Sequence, residues 1–502
     1  MSTERGQWGS RMGFVVAAIG SAIGLGNIWR FPYVAASNGG GAFLIPYLFA
    51  LLTAGIPILI LEFSVAHRIK KAAPGCFGKI SKKMEVLGWA QTLISFSIVV
   101  YYMAIIGWTI NYLSFSLSGA WGADTKSFFF NDFLHITDGP FAIGGLNTTM
   151  LIGLALVWVI NFVVLNGGIK AGIEKANKIF MPLLIVCLLV ITVRGLTLEG
   201  ASAGLDYFFK PDFSVLGNPK VWLAAYGQIF FSLSIAFGIM ITYASYLPEK
   251  TDIVNNAFLT GLGNCSFSIL SGVAVFSVLG YMAAQQGVPV EEVSSAGVGL
   301  AFIVFPQAIN ALPGMNGIMG ALFFICLLFA GLSSSMSILE VIVSSFVDKF
   351  NASRTKVLII VTVSGFLVSL LFVTGAGLYI LDIVDHFVNQ YAITASGLVE
   401  IIFIAWFFNL EGVRKYANGM SDFAVGKWWN FTLKFMTPAI LTVIFIFNAY
   451  TDFTKGYEGY PVSALVAFGG GTLLLIAVVS YILTGIKGSK EHEEDVMEGV
   501  EM

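Results

Sequence analysis

Residues 20–32 read Gly-Ser-Ala-Ile-Gly-Leu-Gly-Asn-Ile-Trp-Arg-Phe-Pro, and they interrupt the first long apolar segment of the chain. The glycines weaken a helix there, Asn27 adds a polar side chain and Arg30 adds a charge. A backbone that leaves helical geometry at bilayer depth must find partners for its freed N–H and C=O groups, so such breaks persist only where they line a cavity or bind something. The interruption therefore predicts a binding site inside a membrane.

Composition supports a membrane location. The 502 residues are 57% hydrophobic and 11% charged, which is typical of a multi-pass membrane protein and gives no sign of a nucleic-acid partner. About twelve apolar windows are long enough to cross a bilayer. They lie at 12–36, 42–66, 88–118, 148–165, 179–198, 222–246, 257–284, 316–346, 357–374, 379–409, 431–451 and 462–486. The sequence thus predicts an all-α integral membrane protein in the lipid bilayer of the plasma membrane.

The basic residues give an orientation. Most of the 27 lysines and arginines fall on the side of the N-terminus, so residues 1–11 and the acidic tail 487–502 are both expected in the cytoplasm. Residues 119–147 and 287–313 then form the larger outer connections, and the second of these is expected to contain short helices over an opening.

A second interruption lies in the sixth span. Residues 228–238 read Gln-Ile-Phe-Phe-Ser-Leu-Ser-Ile-Ala-Phe-Gly within an otherwise apolar helix. Breaks at corresponding places in two halves of a chain point to a midplane site between inverted repeats. Small residues such as Gly20 and Gly24 also permit simple close helix packing, but buried amides such as Asn27 and Asn264 favour a binding role.

Several motifs in chain order resemble the neurotransmitter:sodium symporter family. They are Trp8-x-x-Arg11, residues 20–32, Asn38 to Tyr47, Tyr101-Tyr102, residues 228–238, residues 241–246 and Ala330-Gly-Leu-Ser-Ser-Ser335. The resemblance implies the LeuT-type five-plus-five inverted repeat, with helices 1 and 6 unwound and helices 11 and 12 added. The expected units are repeat 1 at 12–198, repeat 2 at 222–409 and helices 11–12 at 431–486, and the resemblance leaves room for a homodimer.

The resemblance also implies a substrate site. Backbone N–H groups near Leu25 and the hydroxyl of Tyr102 would hold a carboxylate, and a helix N-terminus suits that role. Gly24 is the residue that amino-acid carriers of the family have, where carriers of simple amines have an acidic one. The full expected set is Ala22, Gly24, Leu25, Gly26, Ile98, Tyr102, Phe231, Ser232, Ser234, Phe237, Ser334 and Ile338. Because this set is mainly apolar, a neutral hydrophobic amino acid is expected, with aromatic or glycine-like substrates as alternatives.

Two sodium ions are implied as well, since carbonyls, amides and hydroxyls are the oxygen ligands of hard cations. The first ion is assigned to Ala22, Asn27, Ser232 and Asn264, and the second to Gly20, Ile23, Ala330, Ser333 and Ser334. Helical serines often only bond to their own preceding turn, and the resemblance alone favours the ligand role here.

A chloride site is the further expectation. Several chloride-independent bacterial relatives have a glutamate at the position of Ser268, whose neutral side chain leaves the first sodium without a counter-charge. The donors expected to hold chloride are Tyr47, Gln228, Ser232 and Ser268.

Charged pairs are expected to gate the two ends. Arg30 and Asp385 match the outer gate and Arg5 and Asp348 the inner one, with Trp8 and Tyr246 beside the latter; the alternative is that Arg30 and Asp385 only reach toward the surface. The predicted function is sodium-coupled, chloride-dependent import of amino acids by alternating access. An ion channel or a non-transporting sensor is the alternative of another class, and dispersed His and Cys residues argue against an enzyme.

Overall fold

The computed structural model describes residues 6–295 and 297–490 together with His492 and Glu494. Its architecture is helical, and the described residues contain no β-strand, only an isolated bridge between Leu146 and Thr374. Helices that can cross a membrane by length and composition make up most of the chain, so the prediction of an all-α, multi-pass membrane protein is confirmed.

The spans are built from fourteen helices, numbered here in chain order. They are α1 Arg11–Ala22, α2 Leu25–Ser37, α3 Gly40–Ile69, α4 Lys82–Ser118, α5 Thr148–Asn166, α6 Ile169–Leu196, α7 Pro219–Ser232, α8 Ile239–Ser245, α9 Ile253–Gln286, α10 Asn316–Phe350, α11 Arg354–Val373, α12 Gly377–Phe407, α13 Lys427–Lys455 and α14 Val462–Gly485. Shorter helices include Ala73–Ile80, Ala201–Phe209, Val290–Val293, Gly297–Ala311 and Leu410–Gly419.

The count differs from the expected twelve in one place. Ten helices, and the pair α1–α2 bent by 58°, have the length and hydropathy of a membrane span, and they correspond to eleven of the predicted windows. The sixth window, 222–246, is divided between α7 and α8, each of which is too short to qualify alone. The interruption predicted in the sixth span therefore explains why eleven spans, and not twelve, have the length and hydropathy to cross a membrane.

The bundle has a buried centre and a peripheral edge. In their apolar 18-residue stretches, α9 and α10 are each 78% buried, whereas α14 is 17% buried and presents apolar side chains outward, as a lipid-facing helix does. We call the end that carries 119–147 and 287–315 the loop face, and the end that carries 6–10 and 487–490 the terminal face. On the loop face the expected short helices are present, and Trp121 Nε1 donates to Asn310 Oδ1 at 2.9 Å, so the two large connections pack on one another.

Candidate functional site

The first break is closed by its own asparagine. α1 ends at Ala22, Ile23 and Gly24 are extended, and α2 starts at Leu25. Asn27 Oδ1 accepts the Gly24 N–H at 3.0 Å, in the manner of a helix cap that satisfies a donor freed by the interruption. The sequence therefore builds the bend with the same residue that the resemblance assigns to sodium.

The amide of Asn27 also leads into a buried polar network. Its Nδ2 donates to Asn264 Oδ1 and to Ser268 Oγ, both at 2.8 Å. Asn264 Nδ2 donates to Ser232 Oγ at 2.9 Å, so the network joins α2, α9 and the end of α7. The candidate ligands Asn27, Asn264 and Ser232 of the first sodium are thus brought together. Ala22, the fourth candidate, is the last residue of α1 before the break.

The second break occupies the residues between α7 and α8. Ser234 and Ala236 have φ of 55° and 67°, and Gly238, which has φ of 83°, precedes α8. Left-handed backbone is disfavoured for residues with a Cβ, so neighbours must hold it. Ser234 Oγ donates to Ser21 O at 3.1 Å and Ser95 Oγ donates to Phe237 O at 2.8 Å, which ties the break to α1 and α4.

A cavity of about 880 Å³ connects the two breaks. Every residue of the predicted substrate set lines it: Ala22, Gly24, Leu25, Gly26, Ile98, Tyr102, Phe231, Ser232, Ser234, Phe237, Ser334 and Ile338. The cavity continues to Tyr379 and Tyr457 at the loop face and includes Gly297 and Val298 from the short helices there. The structure therefore places the predicted site in a chamber that extends toward the loop face.

Glycine keeps one end of this chamber free. The Leu25 N–H donates to Tyr102 Oη at 3.3 Å. A Cβ atom on Gly24 would lie 3.3 Å from both Tyr102 Oη and Ser334 Oγ, and one on Gly26 would lie 2.5 Å from Cε1 of Phe231. Hydroxyl and N–H donors at the start of α2 therefore line a space that a larger residue would fill.

Of the candidate ligands of the second sodium, Ser334 of α10 contacts the end of α1 directly. Ser334 Oγ donates to Ser21 O at 3.1 Å and to Ile23 O at 3.2 Å. Ser333 Oγ donates to Ala330 O at 3.0 Å, in the same turn of α10, as the simpler reading of a helical serine expects. Gly20, the remaining candidate ligand, is buried one turn before Ile23. The geometry accommodates both readings of the serines.

The proposed chloride residues contain unused donors. Tyr47 Oη and both amide atoms of Gln228 have no hydrogen-bond partner among the described residues, although both side chains are buried. Cys265, Ser268 and Ser232 are polar neighbours of Tyr47. Buried polar groups are normally satisfied, because leaving one unpaired costs about 1–3 kcal/mol. The unpaired donors are the Tyr47 hydroxyl and Gln228 Nε2, and they fit a group that accepts hydrogen bonds, such as an anion. The Ser268 hydroxyl already donates to Asn264 O at 3.1 Å.

The loop-face pair shares the cavity without forming an ion pair. Arg30 and Asp385 both line it, but no ion pair within 4.0 Å joins them in the described chain. The Arg30 guanidinium instead lies 4.4 Å from the ring centroid of Phe231, and Asp385 accepts from Tyr101 Oη at 2.6 Å and from Asn389 Nδ2 at 2.7 Å. The structure therefore does not bring the two charges together, and the outer gate stays a prediction.

Two tyrosines between α13 and α14 complete the rim of the chamber. Tyr457 and Tyr460 each donate to Asp382 at 3.0 Å, and burial together with this carboxylate raises the pKa of both phenols. Both hydroxyls therefore remain donors at neutral pH, which fixes the connection against α12.

The terminal face is closed by Trp8. Its Nε1 donates to Tyr243 O at 2.8 Å and its backbone N–H donates to Tyr246 O at 3.2 Å, so the segment before α1 is fastened to α8. Asp348 accepts the Ala72 N–H at 2.6 Å. Its predicted partner Arg5 lies outside the described residues, so that half of the inner gate stays a prediction.

Sequence reasoning missed a buried ion pair between Glu340 and Arg354. Glu340 is fully buried and accepts two hydrogen bonds from Arg354, with Oε1 at 2.7 Å and Oε2 at 2.5 Å, and a third from Tyr246 Oη at 2.7 Å. Glu340 is an isolated acidic residue in the long apolar α10, and that charge was the available signal. Through these hydrogen bonds, Glu340 of α10 connects the end of α8 with the start of α11.

Comparison with known proteins agrees with this geometry. A profile described as the sodium:neurotransmitter symporter family matches residues 5–128 and 122–487. The chain is 45% identical, over 97% of its length and 99% of the relative's, to an uncharacterized sodium-dependent transporter of Methanocaldococcus jannaschii. It is 31% identical to sodium- and chloride-dependent GABA transporter 2 of Macaca fascicularis and of Homo sapiens, over 91% of this chain and 82% or 83% of theirs.

Proposed function

This chain belongs to the sodium:neurotransmitter symporter family, whose members are sodium-coupled transporters and not enzymes, and we propose that it imports neutral, mainly hydrophobic amino acids in a chloride-dependent manner. The observation that supports this most directly is the chamber between the two helix breaks, because it combines carboxylate donors, cation ligands and an apolar pocket.

The carboxylate end is the start of α2. The Leu25 N–H and the Tyr102 hydroxyl lie together there, and the N-terminus of a helix favours a negative charge. Gly24 leaves the space that a carboxylate needs, whereas an acidic residue at this position would fill it and repel the anion. A substrate with a free carboxylate is therefore favoured over a simple amine.

The ammonium end is the second break. Carbonyl groups that leave helical pairing near Phe231 and Ser234 are suitable acceptors for an ammonium group, and the left-handed backbone turns this segment away from the helix path. Ile98, Phe237 and Ile338 give the rest of the pocket an apolar lining, which suits leucine, valine or alanine.

Sodium would occupy the two oxygen-rich places beside this pocket. Asn27, Ser232, Asn264 and Ala22 would hold the first ion next to the substrate carboxylate, so that each favours binding of the other. Gly20, Ile23, Ala330, Ser333 and Ser334 would hold the second between α1 and α10. An ion that contacts α1 and α10 together stabilises one arrangement of the bundle over another.

Chloride would supply the missing negative charge. Ser268 takes part in the network around Asn27 but carries no charge itself, and the unpaired donors of Tyr47 and Gln228 fit an anion. A buried cation without a counter-charge is costly, so occupancy of the two ion sites should be linked.

Transport would proceed by alternating access across the plasma membrane. The loop face would lie outside the cell and both termini in the cytoplasm. The excess of basic residues on the terminal face supports this orientation. Closure would bring Arg30 toward Asp385 over the chamber and open the terminal face at the other end. In this arrangement the described structure is open toward the loop face.

A second substrate class deserves a direct comparison. Relatives at 31% identity are named for GABA transport, and GABA has the same carboxylate and ammonium groups as leucine with a longer spacing and no side chain. The carboxylate end cannot separate the two, so the distance to the ammonium acceptors and the apolar lining decide between them.

The test is an uptake screen with purified protein in proteoliposomes. Radiolabelled leucine, valine, alanine, phenylalanine, glycine and GABA would be compared, with sodium replaced by choline and chloride by gluconate in turn. Accumulation of leucine or valine that stops without sodium and falls without chloride supports the proposal. Accumulation of GABA alone would overturn the substrate class, and binding without accumulation would indicate a sensor. Uptake that is unchanged when gluconate replaces chloride would contradict the proposed chloride site.

A further inference from the structure

Two buried carboxyl groups lie against the break of the sixth span. Glu62 on α3 and Glu400 on α12 are each 1% exposed, and they lie close enough that a charge on one would act on the other. Glu62 Oε1 accepts the Ala236 N–H at 2.7 Å and thereby supports its left-handed backbone. The Ala236 Cβ would be 3.0 Å from a Cβ at Gly397, one turn before Glu400, so α12 packs on the same segment.

Hydrogen bonding around these carboxyls is incomplete in a specific way. Gln91 of α4 is fully buried, and its Nε2 donates to Glu400 Oε2 at 2.7 Å. Three oxygens have no partner among the described residues, namely Glu62 Oε2, Glu400 Oε1 and Gln91 Oε1. All three are acceptors if both carboxyls are ionised, so this arrangement lacks a donor. Two adjacent buried negative charges would add a further large cost.

We propose that Glu400 holds a proton on Oε1 and forms a two-hydrogen-bond pair with the amide of Gln91, which leaves Glu62 as the ionised carboxylate at the break. An acid O–H can donate to Gln91 Oε1 while the Gln91 N–H donates back to Oε2, so the acid and the amide match each other. Glu62 instead accepts a backbone N–H, and that contact favours a carboxylate. The chain thus contains a proton-binding site made of Glu400 and Gln91 beside the chamber.

The proton has a consequence for ligand binding, and this part rests on the proposed function. Ala236 lies between Ser234 and Phe237, which both line the chamber, so the charge next to Ala236 affects the shape of the pocket. At alkaline pH the Glu400 O–H releases its proton to solvent and becomes a second carboxylate. The resulting repulsion from Glu62 disturbs the break and weakens substrate binding.

Infrared difference spectroscopy tests the proton without any substrate. Wild-type protein should show the C=O stretch of a protonated carboxyl group near neutral pH, and alkaline pH should remove it. Glu400→Gln should lack this band, yet the protein should fold because a glutamine pair keeps both hydrogen bonds. The exposed Glu411→Gln variant is the control and should keep the band. If the band persists in Glu400→Gln, or is absent from wild type, the proposal is wrong.

Binding measurements test the coupling. The dissociation constant of the substrate from wild-type protein should rise by up to about tenfold for each pH unit above the pH at which Glu400 ionises, as linkage to a single proton requires. Glu400→Gln should bind as tightly as wild type at neutral pH and change less than about twofold over the same range. If Glu400→Gln fails to fold, Gln91→Leu serves instead, because removing the amide partner should shift the acid band while retaining it. If the dissociation constant of Glu400→Gln rises at alkaline pH as it does for wild type, the coupling is contradicted. If no variant binds the substrate but the infrared C=O band of Glu400 behaves as expected, only the proposed function is contradicted.

Discussion

With an amino acid as the proposed substrate, Gly24→Asp should make the chamber reject it. The new Cβ would start 3.3 Å from Tyr102 Oη, the hydroxyl proposed to hold the substrate carboxylate. The two carboxylates would then lie about 4 Å apart, and at an effective dielectric of about 20 their repulsion is about 4 kcal/mol. Leucine binding should therefore weaken by about three orders of magnitude.

The matched control is Gly24→Asn, which has the same size but no charge. Equilibrium binding of leucine and of isopentylamine, which has the same side chain but lacks the carboxylate, would be measured on wild type and both variants. The charge effect is the difference between Asp and Asn, and isopentylamine should bind Gly24→Asp more tightly than leucine does. If the two variants bind leucine with affinities within tenfold of each other, the carboxylate does not lie at the start of α2.

Three further predictions concern the chloride site, the terminal face and pH. Ser268→Glu should make uptake independent of chloride, since a fixed carboxylate replaces the anion; uptake that still fails in gluconate would refute this role. Arg354→Leu should lower the free energy of unfolding by about 3–5 kcal/mol because it leaves Glu340 buried without its cation, and a thermal shift no larger than for an exposed substitution would show otherwise. The hydrogen bond from Arg414 lowers the pKa of Glu411 to about 2, so its stabilising effect is complete above the unfolded pKa and is lost as pH falls toward 2. The melting-temperature difference between wild type and Glu411→Gln should accordingly be constant from about pH 8 to about pH 5 and shrink below about pH 4, and a difference that varies between pH 5 and pH 8 would exclude this assignment.

The breaks could be predicted from local sequence because their causes are local. Glycines, a polar side chain and a charge within one apolar window locate the interruption at residues 20–32 without knowledge of any neighbour. The same holds for residues 228–238, although no local pattern predicts left-handed backbone at Ser234 and Ala236. That conformation depends on Glu62 and Ser95, which lie more than one hundred residues away and meet the break only in the folded bundle.

Contacts between residues on different helices were harder to predict, because they form only in the folded bundle and have no local sequence pattern. The grouping of Asn27 with Asn264 followed from resemblance, and no spacing rule relates residues that are 237 positions apart. Glu340 and Arg354 are close in sequence, but a helix end and a turn separate them, so helical periodicity does not place them together. Arg30 was predicted opposite Asp385, whereas the structure places its guanidinium 4.4 Å from the ring centroid of Phe231. The outer gate expected from this charged pair stays a prediction.

Trp8 joins α1 and α8, the halves of the two broken spans that lie toward the terminal face, into one unit. It is bound to α8 through two carbonyls, and its side chain is 3% exposed. Pulling it away would sacrifice two hydrogen bonds of about 1 kcal/mol each and expose an indole whose burial contributes roughly 5 kcal/mol. Rotating α1 and α8 together preserves all of these contacts. In the proposed transport cycle, Ile23–Gly24 and residues 233–238 would be the hinges of that joint movement. The chamber connects these two breaks, so a ligand bound in it would act directly on both segments.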